Sequence, residues 1–317
     1  MEKVNFTVVI KFTLLGFSEM QSLQSLFFAL FLAIYLLTLL GNTIILLTIR
    51  LSPQLHSPMY YFLFELSLLD VCYSSTTVPK MITGFINGSQ SISYEGCVAQ
   101  LYFFHFFGGT EGFLLTVMAF DRYVAICNPL RYTNIMSKMV LRKLMLGTCL
   151  VGTLHSTFQT VLTFRLPYCG PYTLEHYFCD VPPLLKVACA DTSLNKIVIM
   201  VNVGIVALSC FLLILGSYIR IVITILKMRS EEGKRKAFST CTAHLIVVLT
   251  LYVPCVLIYL QPATTNSIQK VMAVFYTAIT PALNPLIYSL RSEEIKKAMK
   301  KLLFRQVFSL QEKKRQG

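Results

Sequence analysis

The chain has 317 residues, of which 55% are hydrophobic and only 14% are charged. Soluble domains usually carry about a quarter charged residues, so this composition excludes an ordinary soluble domain and indicates a membrane protein. The formal net charge of +13 is spread over separate short segments. Nucleic-acid binding is therefore a poor explanation of it.

Seven segments are long and apolar enough to cross a bilayer, which requires roughly 20 apolar residues. Their continuous apolar runs favour an all-α bundle over a β-barrel, whose strands alternate. We predict a seven-transmembrane helix domain over 24–291, an N-terminal segment over 1–23 and a tail over 292–317. The predicted spans are 24–49, 59–82, 97–121, 140–163, 197–220, 238–260 and 271–290.

The distribution of basic residues predicts the orientation in the membrane. Most of the 28 lysines and arginines fall in connecting segments on the same side of the predicted membrane as the C-terminus. Positive residues stay in the cytoplasm, so the C-terminus is expected inside and the N-terminus outside a plasma membrane. Lys11 interrupts the early apolar stretch, which argues against a cleavable signal peptide. Asn5 opens an outside glycosylation sequon, and a second one, at Asn87, lies close to the membrane.

Four of the ten cysteines fall on the predicted outer side. An even number of cysteines in an oxidising compartment predicts two disulfides. Four cysteines allow three pairings, and their spacing does not choose between them. They are Cys97, Cys169, Cys179 and Cys189.

Asn42, Asp70, Glu111 and Asn284 reach comparable depth in four predicted helices. Such groups face the bundle interior, where they bond to one another or to water. One explanation is hydrogen bonding between helices. The other is a cation or proton site, with sodium as the candidate, because adjacent Asp70 and Glu111 carboxylates repel unless one binds a proton or a cation. Glu65 has no assigned role.

An Asp-Arg pair, Asp121 and Arg122, closes the third apolar segment. The helix from Cys97 to Asp121 would be about 36 Å long, slightly more than the roughly 30 Å hydrocarbon core. Cys97 then lies at the outer rim and Asp121 at the inner rim. Charged residues at this depth are costly unless a function uses them.

Several motifs along almost the whole chain, taken in order, resemble an odorant (olfactory) receptor of the rhodopsin-like G-protein-coupled receptor superfamily. They are Gly41-Asn42, Leu55–Tyr60, Ser67–Asp70, Met118–Cys127, Ser217-Tyr218, Lys236–His244 and Pro281–Tyr288. The sequence departs from that pattern at Phe120, where the family mostly has Tyr, and at Leu251-Tyr252-Val253, where Phe-Tyr-Gly is usual. Both changes keep an apolar character, so we expect altered basal activity and retained function.

The resemblance implies that Cys97 pairs with Cys179 and Cys169 with Cys189, which holds a long outer loop over the pocket. It also implies an amphipathic helix on the membrane after Arg291. Its apolar positions are Ile295, Ala298, Met299, Leu302 and Leu303.

The resemblance further implies a switch at the inner ends of the helices. Asp121 is the expected resting partner of Arg122, which cannot lose its proton. Agonist would favour an outward swing of helix 6, so that a stimulatory G protein of the olfactory type binds and raises cyclic AMP. The switch residues are Asp121, Arg122, Tyr123, Tyr218 and Tyr288.

By the same resemblance, the ligand pocket lies between helices 3, 5, 6 and 7. Phe104, His105, Gly108 and Gly109 share one face of helix 3. The glycines would either leave room for a ligand or permit close helix packing. The other helices contribute Asn202, Val203 and Val206, then Tyr252, Cys255 and Tyr259, then Val274 and Thr277.

The expected ligand is a neutral, mostly hydrophobic volatile with one hydrogen-bonding group, oriented by His105 or Asn202. Phe104 stands where amine receptors of the superfamily have Asp, which argues against a cationic amine. The pocket set holds no Lys or Arg, which weakens the case for a carboxylate. Apart from the candidate sodium ion, no cofactor is expected.

Three other classes of function remain for comparison. A transporter or channel often shows repeated halves and charges along a path, whereas here the intramembrane charge forms one cluster and no repeat is evident. An enzyme is not expected, because no His-Glu-x-x-His or Gly-x-Ser-x-Gly motif is present. A receptor of the same fold that acts outside olfaction stays open.

Overall fold

Most of the described chain is helical. The computed structural model describes residues 11–17, 22–87, 90–260 and 266–302. The sequon at Asn5 and the side chains of Tyr259 and Leu303 lie outside the described part. The long helices are α1 Gln24–Leu51, α2 Pro58–Asn87, α3 Tyr94–Cys127, α4 Lys138–Phe164, α5 Ser193–Lys227, α6 Glu231–Leu260 and α7, which joins Asn266–Val274, Phe275–Ile279 and Thr280–Arg291.

Each predicted span falls within one of these helices, which extend beyond it at one or both ends. By length and apolar composition, five helices of the described chain qualify to cross a membrane. The polar side chains Glu65 and Asp70 of α2, and His155 and Gln159 of α4, make those two long helices less apolar. The qualifying helices are Gln24–Leu51, Tyr94–Cys127, Ser193–Lys227, Glu231–Ile258 and Ile268–Ser289.

Helix α3 is the central element of the bundle and packs against α2, α4, α5 and α6. Helix α1 packs against α2 and α7. Two glycines permit these close approaches. A Cβ atom on Gly41 would lie 2.9 Å from Pro285 Cγ of α7, and one on Gly152 of α4 would collide with Thr110 Oγ1 of α3.

A small sheet, which the sequence pattern did not predict, covers the end of the bundle that is predicted to be the outer one. Its strands are β1 Lys11–Leu14, β2 Ser91–Ser93 and β3 Thr173–Leu174, in the order β2-β1-β3. Strand β1 is antiparallel to β2 and parallel to β3. The N-terminal strand thereby joins the loop before α3 to the outer loop 165–192, which connects α4 and α5.

Two disulfides hold the outer loop 165–192 in place. Cys97 at the start of α3 pairs with Cys179, and Cys169 pairs with Cys189 within the loop. This is the pairing that the family resemblance implies. The loop is thus fixed to the outer end of the central helix.

Replacing Phe12 with alanine should lower the free energy of unfolding by about 3–5 kcal/mol, the usual cost of truncating a buried Phe. The Phe12 ring is fully buried, and its centroid lies 5.5 Å from that of Tyr168. Thermal unfolding of the purified protein measures the effect. Thr13→Ala is the matched control, because Thr13 is the exposed neighbour in the same strand. Equal melting temperatures for the two variants would contradict the role assigned to β1.

A further helix over 293–302 follows α7. Ile295 and Ala298 are buried on one face, whereas Glu293, Lys297 and Lys300 are exposed. The short connection is fixed by a hydrogen bond of 3.1 Å between the Ser292 and Tyr60 hydroxyls. The apolar face of this helix therefore packs against the inner end of the bundle.

Candidate functional site: an aromatic cavity linked to an inner polar cluster

A cavity of about 110 Å³ lies between α3, α5 and α6, with further walls from α2, α4 and α7. Among the described residues, its lining contains aromatic rings, aliphatic side chains and three glycines of α3, with no Lys, Arg, Asp or Glu. The lining residues are Tyr73, Phe104, His105, Gly108, Gly109, Gly112, Phe113, His155, Val203, Val206, Ala207, Cys210, Leu251, Tyr252, Cys255 and Tyr276.

The structure brings most of the predicted pocket residues together at this cavity. Helix α3 contributes one face, as its residue spacing predicted, and α5 and α6 contribute the opposite walls. The predicted residues that line the cavity are Phe104, His105, Gly108, Gly109, Val203, Val206, Tyr252 and Cys255.

Three predicted pocket residues lie elsewhere. Asn202 is directed towards α4, where its Oδ1 accepts from Gln159 Nε2 at 3.4 Å. The hydroxyls of Thr277 and Tyr177 form a hydrogen bond of 2.9 Å with each other. Val274 does not line the cavity. The π-helix Phe275–Ile279 changes the phase of α7, so Tyr276 faces the cavity instead. The side chain of Tyr259 is outside the described part.

The α3 glycines allow aromatic side chains of neighbouring helices to approach the cavity closely. A Cβ on Gly108 would lie 3.2 Å from the Tyr73 hydroxyl, and one on Gly112 would lie 3.3 Å from the Tyr252 hydroxyl. Tyr252 uses this space to donate to Gly112 O at 3.0 Å. The glycines therefore permit close helix packing and also border the cavity. The two roles proposed for them from the sequence are thus compatible.

Buried side chains of the outer loop 165–192 lie against two residues of the cavity wall, Phe104 and His105. The Phe178 ring lies 4.7 Å from that of Phe104, measured between centroids. Asp180 Oδ1 lies 3.9 Å from His105 Nε2 and accepts from the backbone N–H of Val181 at 2.7 Å. His105 is thus engaged with the loop that the disulfides hold.

His176 in this loop supplies a pH-dependent contribution to stability. Burial, the nearby Lys270 charge and, more weakly, Lys186 lower the pKa of His176 to about 3. The unfolded chain, with a pKa of about 6.5, binds more protons below that pH. The contribution is therefore complete above pH 6.5 and is lost as the pH falls from about 6.5 towards about 3.

The melting temperature of the purified protein should consequently fall less on acidification in a His176→Phe variant than in the parent. Phenylalanine keeps a ring between Tyr177 and Phe178, whose centroids lie 4.8 and 4.6 Å from that of His176. The melting temperatures of the parent and the variant are measured side by side at about pH 7.5, 6 and 4.5. An identical decline in both proteins would show that His176 carries no protonation penalty.

The inner polar cluster differs from the expected ion pair. Asp121 Oδ1 accepts from the Tyr132 hydroxyl at 2.9 Å. The described residues show no Asp121–Arg122 ion pair within 4.0 Å, and Arg122 Nε is buried without a hydrogen-bond partner. In this conformation the tyrosine of the short helix Tyr132–Ile135 binds the carboxylate, and Arg122 interacts with it electrostatically. Asp121 as the resting partner of Arg122 stays a prediction.

His244 of α6 joins three helices beside Arg122, although it is not among the predicted switch residues. Its Nε2 lies 3.0 Å from Leu115 O of α3, and its Nδ1 lies 2.8 Å from the Tyr218 hydroxyl of α5. A carbonyl oxygen only accepts, so Nε2 donates and Nδ1 accepts from Tyr218. The Tyr288 hydroxyl is buried without a hydrogen-bond partner. Tyr123 stacks on Phe120, with ring centroids 6.2 Å apart.

The membrane-depth polar residues also meet inside the bundle. Asn284 Nδ2 donates to both oxygens of the Asp70 carboxylate, at 2.9 and 3.1 Å. Glu111 is buried and interacts electrostatically with Asp70. Asn42 donates to Pro281 O at 3.0 Å. Over the described ranges no three His, Cys, Asp or Glu side chains form a metal-binding group.

Comparison with known proteins places this architecture in one family. Residues 31–306 match the family model described as "Olfactory receptor". Human olfactory receptor 10G4 is 54% identical over 299 residues, which cover 94% of this chain and 96% of the relative. Human olfactory receptor 10G7 is 52% identical, covering 96% and 98%. Mouse olfactory receptor 4E2 is 50% identical, covering 98% and 100%.

Proposed function

The chain belongs to the olfactory receptor family of multi-pass, rhodopsin-like G-protein-coupled receptors, which are not enzymes, and on this premise we propose its ligand, coupling and topology. The protein binds a small, neutral, mostly hydrophobic volatile in the cavity between α3, α5 and α6. Binding activates a stimulatory G protein of the olfactory type and raises cyclic AMP.

The absence of Lys, Arg, Asp and Glu from the described cavity lining carries the proposal about the ligand. A buried site without such residues has no permanently charged group to neutralise a charged ligand, and desolvation of an unpaired charge is costly. Aromatic and aliphatic walls with few polar groups are typical of sites for small apolar molecules. The ligand is therefore expected to be neutral.

Tyr252 and His244 connect the cavity with the inner polar cluster, because both lie on α6. Tyr252 holds the middle of α6 to Gly112, and His244 holds its inner part to Leu115 and Tyr218. A ligand shifts such an equilibrium only through different affinities for the two conformations. We propose that a ligand against Tyr252 favours release of α6 from α3, which gives the G protein access to Arg122.

The proposed topology has seven spans, an outside N-terminus and a cytoplasmic C-terminus. The sheet and both disulfides then lie outside, where an oxidising compartment permits them. The basic residues of the α5–α6 connection and of the tail lie inside. The 293–302 helix lies along the inner membrane surface, with Ile295 and Ala298 packed against the bundle, and Asn5 is a glycosylation site on the outer side.

A bound sodium ion at Asp70 and Glu111 remains part of the proposal. Asn284 bonds to the Asp70 carboxylate, and Glu111 lies close enough to interact with it electrostatically. Two adjacent buried carboxylates need a proton or a cation between them. A sodium-dependent change in basal signalling, lost in Asp70→Asn, would support the cation over the proton.

Cyclic AMP output in cells expressing the chain tests the proposed function, with a chemically diverse odorant panel and Arg122→Ala as the control. Neutral volatiles should raise cyclic AMP in the parent, and the control should not respond at equal surface level. A control that responds as strongly as the parent would exclude the role of Arg122. Responses confined to short-chain acids or amines would refute the neutral ligand, and ligand-driven current without cyclic AMP would favour a channel.

A further inference from the structure

Most polar groups on the cavity wall already have partners. The Tyr252 hydroxyl donates to Gly112 O, and His105 is engaged with Asp180. His155 of α4 differs, because its Nδ1 is buried without a hydrogen-bond partner. His155 also lines the cavity, although the family-based pocket excluded α4. The wall therefore has one histidine nitrogen whose hydrogen-bonding capacity is unused.

The position of His155 is fixed by close neighbours on α3 and α5. Its Cδ2 lies 3.5 Å from where a Cβ on Gly109 would be, and its ring centroid lies 5.7 Å from that of His105. The side chain of Asn202 on α5 forms a hydrogen bond with the His155 ring. A side chain held between three helices provides a defined point of recognition within an otherwise apolar cavity.

A second unused polar atom lies one helical turn away. Gln159 follows His155 by four residues, so the two share one face of α4. Gln159 Oε1 is buried without a hydrogen-bond partner, while its Nε2 donates to Asn202. An amide oxygen only accepts hydrogen bonds. Gln159 is not among the residues that line the cavity, so this oxygen marks the polar face of α4 beside the site.

We propose that His155 recognises the hydrogen-bonding group of the ligand and that this group is a hydroxyl. This inference rests on the proposed function of the cavity. A neutral imidazole nitrogen either donates or accepts, depending on the tautomer, and a hydroxyl does both. A ketone or an ether only accepts, so it bonds to this nitrogen in only one of the two tautomers. Burying an unpaired polar atom is unfavourable, so a ligand that bonds to His155 gains affinity.

The size of the cavity limits the ligand to about one ring. Its volume is about 110 Å³, somewhat less than the roughly 150 Å³ of an apolar protein cavity that accommodates benzene. The expected ligand is therefore a compact, uncharged alcohol or phenol whose ring packs against Tyr252 and Phe104.

The test uses three matched sets: cyclohexanol, benzyl alcohol and phenol, each with its methyl ether and its parent hydrocarbon. Cyclic AMP responses are compared in the parent, His155→Phe and His155→Gln. Leu154→Phe is the matched control, because Leu154 is the exposed neighbour on the same helix. The potency ratio of hydroxyl compound to methyl ether within one variant does not depend on the surface level of that variant.

In the parent and in Leu154→Phe, at least one hydroxyl compound should be about tenfold more potent than its ether and hydrocarbon, as one net hydrogen bond gives. His155→Phe should abolish that preference, and His155→Gln should keep part of it. Equal potencies in the parent, a preference that survives in His155→Phe, or a parent that responds to other odorants but to none of these alcohols would overturn the inference. If no compound of any kind raises cyclic AMP in the parent, the proposed function itself fails.

Discussion

Replacing His244 with phenylalanine should raise cyclic AMP in the absence of ligand. The variant keeps a ring of similar size but loses the bond to Leu115 O at 3.0 Å and the bond from the Tyr218 hydroxyl at 2.8 Å. Each contributes about 1 kcal/mol, so the conformation with α6 held to α3 and α5 loses about 2 kcal/mol. The ratio of the two conformations then shifts roughly thirtyfold towards the released one.

Basal cyclic AMP at matched surface level measures this shift. Tyr218→Phe removes only one of the two bonds and should give a smaller increase, which separates the α3 bond from the α5 bond. Basal output of His244→Phe at or below the parent value, with normal surface level, would mean that these bonds do not hold α6 in the inactive arrangement.

Replacing Gly152 with valine should prevent normal accumulation at the cell surface. A Cβ atom at this position collides with Thr110 Oγ1 and lies 3.2 Å from Phe106 O and 3.3 Å from Thr110 N. Two of these neighbours are backbone atoms of α3, so a rotamer change does not relieve them. Overpacking of this kind costs about 1–3 kcal/mol or more, a large part of a marginal stability.

Gly147→Val is the matched control on the same helix, because no atom lies within 4 Å of its Cβ position. Both variants carry the same change in helix propensity, so the difference between them reports the α3–α4 contact. The Gly147 variant should reach the surface and melt near the parent temperature. Similar losses in both would attribute the effect to propensity and not to packing.

Several features of the fold follow from the sequence for simple physical reasons. Long apolar runs must form helices in a membrane, because the backbone has no other partners there. The periodicity of α3 also places Phe104, His105, Gly108 and Gly109 on one face, and all four line the cavity. These features depend on local patterns that the residues themselves carry.

Other features depend on tertiary geometry that no local pattern encodes. The π-helix at Phe275–Ile279 brings Tyr276 to the cavity in place of Thr277. Strand β1 forms by pairing with β2 and β3, which lie far away along the chain. The hydrogen bond from Tyr132 to Asp121 joins residues 11 positions apart, so no local pattern at Asp121 and Arg122 indicated it.

The contribution of His155 could have been suspected from one signal. Helix α4 contains His155 and Gln159 four residues apart, and such a polar face in a membrane helix normally points into the bundle. The pocket implied by the family resemblance lies between four other helices and therefore does not include this face.

The distance between the inner ends of α3 and α6 tests the central claim, that a ligand in the aromatic cavity releases α6 from α3. Spin labels on cysteines replacing Leu130 and Arg235, both exposed, would report it in a background without the other free cysteines. An agonist from the odorant panel should lengthen the measured distance, and His244→Phe should lengthen it without agonist. A distance that stays the same with saturating agonist, in a protein that still raises cyclic AMP, would contradict the account.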